Sequence, residues 1–207
     1  ELFYPVFWKY KRRITIKRQM AQRIFQKSES YCIGAGLRKR WIFCRARKNN
    51  PDKNFIGVDI KGNRIWTGAK EALENNLSNV AFIRTRIDFI EHCYEPGEVS
   101  EIWITFPDPQ PQKTRERKRL TNMRFIERYR KFLKPGGLVH LKTDSTSLYE
   151  YTMEVIRDNK LELLFHTNDL YNNCPADRKE LIEIKTHYEK LFTAKGENIK
   201  YICYKIN

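Results

Sequence analysis

Residues Ile102 to Lys113 read Ile-Trp-Ile-Thr-Phe-Pro-Asp-Pro-Gln-Pro-Gln-Lys, an apolar, β-branched and aromatic run that stops at three prolines set around one acid. Such a run reads as a buried strand. The proline segment continues as neither helix nor strand, because Pro107 and Pro109 fix their own φ, lack amide hydrogens and restrict Phe106 and Asp108 before them. Asp108 is therefore expected in an extended loop with little freedom, at the carboxyl end of a strand. In an open α/β sheet the ligand crevice lies at that edge. Residue types alone thus make Asp108 a site candidate, set against the plainer alternative of a strand-ending turn with a solvated acid.

The rest of the chain from Asn50 alternates strand and helix patterns. Asn54 to Ile60 reads as a buried parallel strand with Asp59 near its end. There an acid commonly accepts hydrogen bonds from ribose hydroxyls; a helix-capping Asp59 is disfavoured because Gly62 and Asn63 supply the turn. Ile65, Trp66, Ala69, Ala72 and Leu73 recur at helical spacing, with Trp66 expected in the core and an end near Asn75 and Asn76. Val80 to Ile83 and Ser100 to Phe106 are the next strands. Phe125, Ile126, Tyr129, Phe132 and Leu133 form an amphipathic helix stopped by Pro135-Gly136-Gly137. Leu138 to Lys142 is a strand that places Asp144 just past its end, on the same sheet edge as Asp108. A helix carrying Leu148, Tyr151, Thr152, Val155 and Ile156 comes next, then a strand over Leu161 to His166, and helix then strand over Leu181 to Tyr204, the helix ending at Gly196. His140 and His166 read as structural.

At 207 residues and 41% hydrophobic content the chain suits one domain with a full core. Its apolar runs fall short of the ~18 residues of a membrane span, and no secretory signal is visible, although the chain opens on Glu1 rather than Met. Five cysteines without a C-x-x-C pair point to reduced, cytoplasmic thiols rather than disulfides or a zinc site, so no metal is expected. The net charge of +15 is uneven: residues 1–50 hold 14 Lys/Arg against two acids, leaving 26 basic and 23 acidic residues for the remainder. The whole-chain charge thus says little about the folded domain. Lys113, Arg115, Arg117, Lys118 and Arg119, directly after the acid, say more, since such a cluster suits an anionic polymer.

Phe106-Pro107-Asp108-Pro109, the basic segment after it and Leu141-Lys142-Thr143-Asp144 together resemble the tRNA (guanine-N(7)-)-methyltransferase family, from about Ala46 to the C-terminus. The resemblance implies a Rossmann-like S-adenosylmethionine-dependent methyltransferase fold, α/β, with a mostly parallel seven-stranded sheet and helices on both faces. It implies S-adenosyl-L-methionine as cofactor and tRNA as partner, with a guanine of the variable loop as target, in a cytoplasmic monomer or homodimer. It assigns the catalytic acid to Asp108, and cofactor contacts to Gly34, Gly36, Asp59, Arg86 and Asp108. Substrate contacts fall on Gln112, Lys113 and Asp144, and on the C-terminal signature at Thr186, His187, Tyr188 and Glu189. Thr186 and Glu189, three apart, share one helical face; the plainer alternative is a solvated Glu189.

Three departures from the family pattern stand out. The family's glycine-rich loop is represented by Cys32-Ile33-Gly34-Ala35-Gly36-Leu37-Arg38-Lys39-Arg40, in which Cys32 replaces an acid and the later residues are large and basic. Arg86 stands where the family presents an acid to the adenine, leaving backbone amides to serve. Gln110, Pro111 and Gln112 replace a Trp and a Pro-Lys, so Lys113 is expected to take the phosphate contact by a one-residue shift. The first two departures raise an alternative: a catalytically impaired tRNA-binding homologue that has lost its cofactor. A methyltransferase of small molecules or proteins fits the basic segment poorly. Residues 1–30 read as a basic segment and 31–207 as the methyltransferase domain. Residues 1–45, with their abrupt charge and lost periodicity, are expected to be a shifted reading frame that corrects itself near Ala46.

Overall fold

The structure, a computed structural model, describes residues 7–9, 31–35, 53–175, 178, 180–183 and 198–206. Among these residues eight strands form one sheet: β1 (Phe7–Lys9), β2 (Tyr31–Ala35), β3 (Asn54–Asp59), β4 (Val80–Arg84), β5 (Val99–Thr105), β6 (Leu133–Thr143), β7 (Glu162–Thr167) and β8 (Lys200–Lys205). Their spatial order is β1-β4-β3-β2-β5-β6-β8-β7. Every pairing is parallel except those of β8, which runs antiparallel to both β6 and β7. The seven expected strands are present, and Phe7–Lys9 adds a short eighth at the edge beside β4. Between β2 and β5 the winding reverses, which makes their carboxyl ends the topological switch point where such sheets bind ligands.

The central strands are buried because both faces are covered, so β3 is buried at all six positions and Ile102, Ile104, Val139 and Leu141 have no more than 1% exposure. Helix α1 (Gly62–Glu74) covers one face through Ile65, Gly68, Ala69 and Ala72. Trp66 and Leu73, expected on that stripe, are instead exposed, at 58% and 46%. The reason is space. A Cβ built on Gly68 would meet the Phe82 ring at 2.7 Å, so at that point the helix lies too close to β4 for any side chain, and the buried stripe runs through Ile65, Gly68, Ala69 and Ala72. Gly62 and Asn63 are the first residues of this helix rather than a turn.

Helix α2 (Met123–Arg130) is capped by Asn122, whose side chain accepts from the Arg124 amide, and buries Phe125, Ile126 and Tyr129. It ends before Leu133, which pairs with Val99 in the sheet; Pro135-Gly136-Gly137 lies inside β6 instead of stopping the helix. The register jumps there, from Val99↔Leu133 to Glu101↔Leu138, and Gly136 takes φ +72. That is a bulge with the composition of a turn. Helix α3 (Thr146–Asp158), capped by Ser145, packs Leu148, Thr152, Val155 and Ile156 on the core. A short helix α4 (Glu180–Glu183) comes after β7.

His140 is structural, as its place in a strand suggests. It is buried in β6, stacked on Trp103 at 4.0 Å, bonded through Nδ1 to the Tyr201 hydroxyl at 2.7 Å and 3.5 Å from Glu101. Glu101 also takes Lys53 at 2.7 Å and the Trp103 indole at 3.0 Å. Burial works against its charge, but His140 and Lys53 hold its carboxyl well below the usual range. His166 is exposed and bonded to the Tyr149 hydroxyl.

Candidate active site

The switch point brings together the ends of β2, β3, β5 and β6. Gly34 of β2 sits in register with Gly57 of β3 and Trp103 of β5, so two neighbouring strands carry no side chain at this level. Gly36 lies outside the described residues.

Asp59 ends β3 and is 7% exposed. Its Oδ1 accepts from the Lys61 amide at 2.8 Å and its Oδ2 pairs with Arg64 at 3.2 Å. Asp59 therefore performs the turn-forming role that Gly62 and Asn63 were expected to fill. A carboxylate offers about four acceptor positions, so these bonds leave about two acceptor positions for hydroxyl donors such as those of a ribose. Arg86, past the end of β4, is exposed, pairs with Asp88 at 3.5 Å and lies 6.0 Å from the Phe89 ring centroid.

Asp108 lies past the end of β5, exposed, in a turn held at both ends. Phe106 and Gln110 both adopt the left-handed region, φ +47 and +46, on either side of Pro107-Asp108-Pro109. Side chains cost about 1–2 kcal/mol there. The Phe106 amide donates to the Lys142 carbonyl at 2.7 Å, and the Gln110 amide donates to Asp108 Oδ1 at 3.1 Å. Thr105 pairs with Lys142, so β5 and β6 end level and Asp108 and Asp144 leave the same edge. Thr143 Oγ1 accepts from the Ser145 amide at 3.1 Å and Lys200 donates to the Asp144 carbonyl at 3.1 Å, fixing the backbone around Asp144.

Gln112 and Lys113 are exposed, and Lys113 opens a 3-10 turn, Lys113–Lys118, that displays Arg115, Arg117 and Lys118 to solvent. Arg119, which composition groups with them, is buried at 8%. Thr186, His187, Tyr188 and Glu189 lie outside the described residues, as does Gly196. A groove of about 500 Å³ between this turn and α3 is lined by Lys113 and Arg119 but also by Glu116, Glu150, Glu154 and Asp158, so its charge does not favour an anion. Among the described residues no group of three or more His, Cys, Asp or Glu is placed to hold a metal, and no helix is long and apolar enough to cross a membrane.

The strand order, the antiparallel β8 and an acid past the end of β5 define a class, the Rossmann-like fold of S-adenosylmethionine-dependent methyltransferases. Solved structures agree. The 16S rRNA methyltransferase KamB superposes with a TM-score of 0.65 at 11% identity, covering 92% of this chain and 94% of that one. Geranyl diphosphate C-methyltransferase from Streptomyces coelicolor, solved with S-adenosyl-L-homocysteine, gives 0.57 at 15% identity, covering 87% of this chain and 73% of that one.

The family model described as "Putative methyltransferase" matches residues 28–202. The chain belongs to the tRNA (guanine-N(7)-)-methyltransferase family: it is 44% identical over 191 residues to the member from Christiangramia forsetii, covering 92% of this chain and 85% of that protein. It is 53% identical over 156 residues to the one from Bacteroides thetaiotaomicron, covering 75% of this chain and 60% of the relative. The chain thus spans about 60% of the length of that relative. Similarity is not confined to residues after Ala46, since the family match begins at residue 28 and takes in Cys32 to Gly36.

Proposed function

We propose that the chain transfers a methyl group from S-adenosylmethionine to nitrogen-7 of a guanine in tRNA, in the cytoplasm. The observation that carries this reading is Asp108: an exposed carboxylate on a braced turn at the switch point, directly before a solvent-facing run of cations. Residues 31–207 act as the methyltransferase domain, to whose sheet Phe7–Lys9 adds an edge strand, and the basic residues 1–30 add electrostatic attraction for RNA.

The cofactor, when bound, supplies an electrophilic methyl on a sulfonium centre. Nitrogen-7 carries an in-plane lone pair and needs no proton removed, so the chain needs no general base. What it must supply is in-line orientation and negative potential for a purine that becomes cationic as the bond forms. Asp108 supplies that potential, with Asp144 beside it. Asp59 holds the ribose hydroxyls, Gly34 and Gly36 let the backbone approach the cofactor, and backbone amides near Arg86 meet the adenine. Lys113, with Gln112 beside it, engages a tRNA phosphate, and Thr186, His187, Tyr188 and Glu189 hold the target nucleotide. The base leaves its stack to enter, which a tRNA loop permits more easily than a duplex.

Calorimetric titration with S-adenosylmethionine tests the cofactor half of this reading. Micromolar binding is the expected result; no binding favours the impaired homologue, a tRNA-binding protein without catalysis.

A further inference from the structure

We infer that Arg119 is the positioning residue of the Asp108 turn, acting through Gln110, and does not share the phosphate-binding role proposed for Lys113. This rests on the reading of Asp108 as the catalytic acid.

Within the run Lys113 to Arg119, the side chains of Lys113, Arg115, Arg117 and Lys118 are exposed and Arg119 is buried. Its Nε donates to the Gln110 carbonyl at 3.2 Å, and its guanidinium carbon lies 4.3 Å from the Tyr151 ring centroid. Tyr151 is itself fixed, its hydroxyl accepting from Asn122 Nδ2 at 2.6 Å and donating to Glu116 Oε1 at 3.2 Å. A planar cation that stacks on a ring while one edge donates to a carbonyl uses geometry peculiar to arginine.

What Arg119 holds is a residue in an unfavourable conformation. Gln110 sits at φ +46, a state that persists only where the surroundings enforce it. At the other end of the turn Phe106, at φ +47, is enforced by its bond to the Lys142 carbonyl in the sheet. At the Gln110 end the enforcing bonds are its amide to Asp108 Oδ1 and its carbonyl to Arg119. One oxygen of the Asp108 carboxylate is thus aimed by the Gln110 amide, and the place of that amide is set by Arg119.

The test uses the full chain and four proteins beside wild type: Arg119→Met, the double variant Arg119→Met/Gln110→Gly, Lys113→Ala and Asp108→Asn. Hydrogen exchange of the peptide 106–112 reads the turn without any need for activity. Methyl transfer to tRNA gives kcat and KM, and tRNA binding is measured against salt. Arg119→Met is expected to speed exchange in that peptide and to lower kcat about tenfold, the rate equivalent of a left-handed residue no longer held. Its KM for tRNA and salt slope stay unchanged. Gln110→Gly in the same background restores most of the lost kcat, because glycine takes that φ without strain; a merely unfolded or phosphate-deficient variant is not rescued this way. Lys113→Ala lowers the salt slope and leaves exchange in the turn as it was. Unchanged exchange in Arg119→Met, or a salt slope lowered as in Lys113→Ala, overturns the inference. A wild-type chain that transfers no methyl, under conditions where Asp108→Asn is equally inert, removes the catalytic reading while the exchange data still decide the clamp.

Discussion

Replacing Asp108 with asparagine separates charge from geometry. An asparagine Oδ1 accepts from the Gln110 amide as Asp108 Oδ1 does at 3.1 Å, so the turn keeps its bond and the side chain loses only its negative charge. The magnitude depends on where that charge sits. Asp108 is exposed in the free protein, but in the productive complex the purine covers it. A unit charge about 4 Å from a developing cation is worth about 1 kcal/mol at the dielectric of water and about 4 kcal/mol at the value typical near a protein surface. Only the share that grows as the purine becomes cationic accelerates the reaction, so kcat is expected to fall between about fivefold and about a thousandfold. The assay is single-turnover methyl transfer with saturating cofactor and tRNA, compared with tRNA affinity by filter binding. Affinity stays within a few-fold, since the ground-state guanine is neutral. Asp108→Ala, which also removes the bond to Gln110, falls further. An Asp108→Asn protein with kcat within twofold of wild type refutes the electrostatic role.

The same geometry predicts three other outcomes. Asp59→Ala weakens S-adenosylmethionine binding about ten- to a hundredfold in calorimetry, the worth of hydrogen bonds to a charged acceptor; unchanged affinity means that Asp59 serves only Lys61 and Arg64. Glu101→Gln removes a carboxylate that gathers Lys53, Trp103 and His140, and costs about 3 kcal/mol of stability at neutral pH. Because the folded-state pKa of Glu101 is depressed, its contribution is full above the ordinary carboxylate range and is lost as pH falls. Urea titrations are therefore expected to show the two proteins converging in acid, and a difference that does not shrink refutes the assignment. Gly68→Ala adds helix propensity of about 1 kcal/mol but drives a Cβ to within 2.7 Å of the buried Phe82 ring. Overpacking of about 1–3 kcal/mol prevails, so the melting temperature falls by a few degrees; a rise means the ring moves aside freely.

The Asp108 turn was legible because two prolines leave the backbone few choices, and β3 and β5 were legible because strands covered on both faces must be apolar throughout. Trp66 misled for a physical reason. Periodicity places residues on a face but does not report how near the next layer lies, and the stripe that meets the sheet is Ile65, Gly68, Ala69 and Ala72, with Gly68 directly against Phe82. Pro135-Gly136-Gly137 misled because a bulge that uses positive φ at Gly136 draws on the same residues as a helix stop. Arg119 was hidden within a charge run, where composition does not tell a buried guanidinium from a solvated one. The local signal nearest to it is the cap at Asn122, whose amide closes a turn back onto the Arg119 carbonyl. Phe7–Lys9 was lost among the cations of the first 50 residues. The expectation of a shifted reading frame over residues 1–45 is settled by translating the gene in its other two frames. A glycine-rich loop preceded by an acid there supports it, and its absence, beside a family match that begins at residue 28, disposes of it.

The most direct measurement incubates the full chain with unmodified tRNA and methyl-labelled S-adenosylmethionine, then maps the label by chemical cleavage at 7-methylguanine. A single labelled guanine in the variable loop, lost in Asp108→Asn, is the predicted result. Label at another atom or another nucleotide, or none at all from a protein that binds both cofactor and tRNA, contradicts the account.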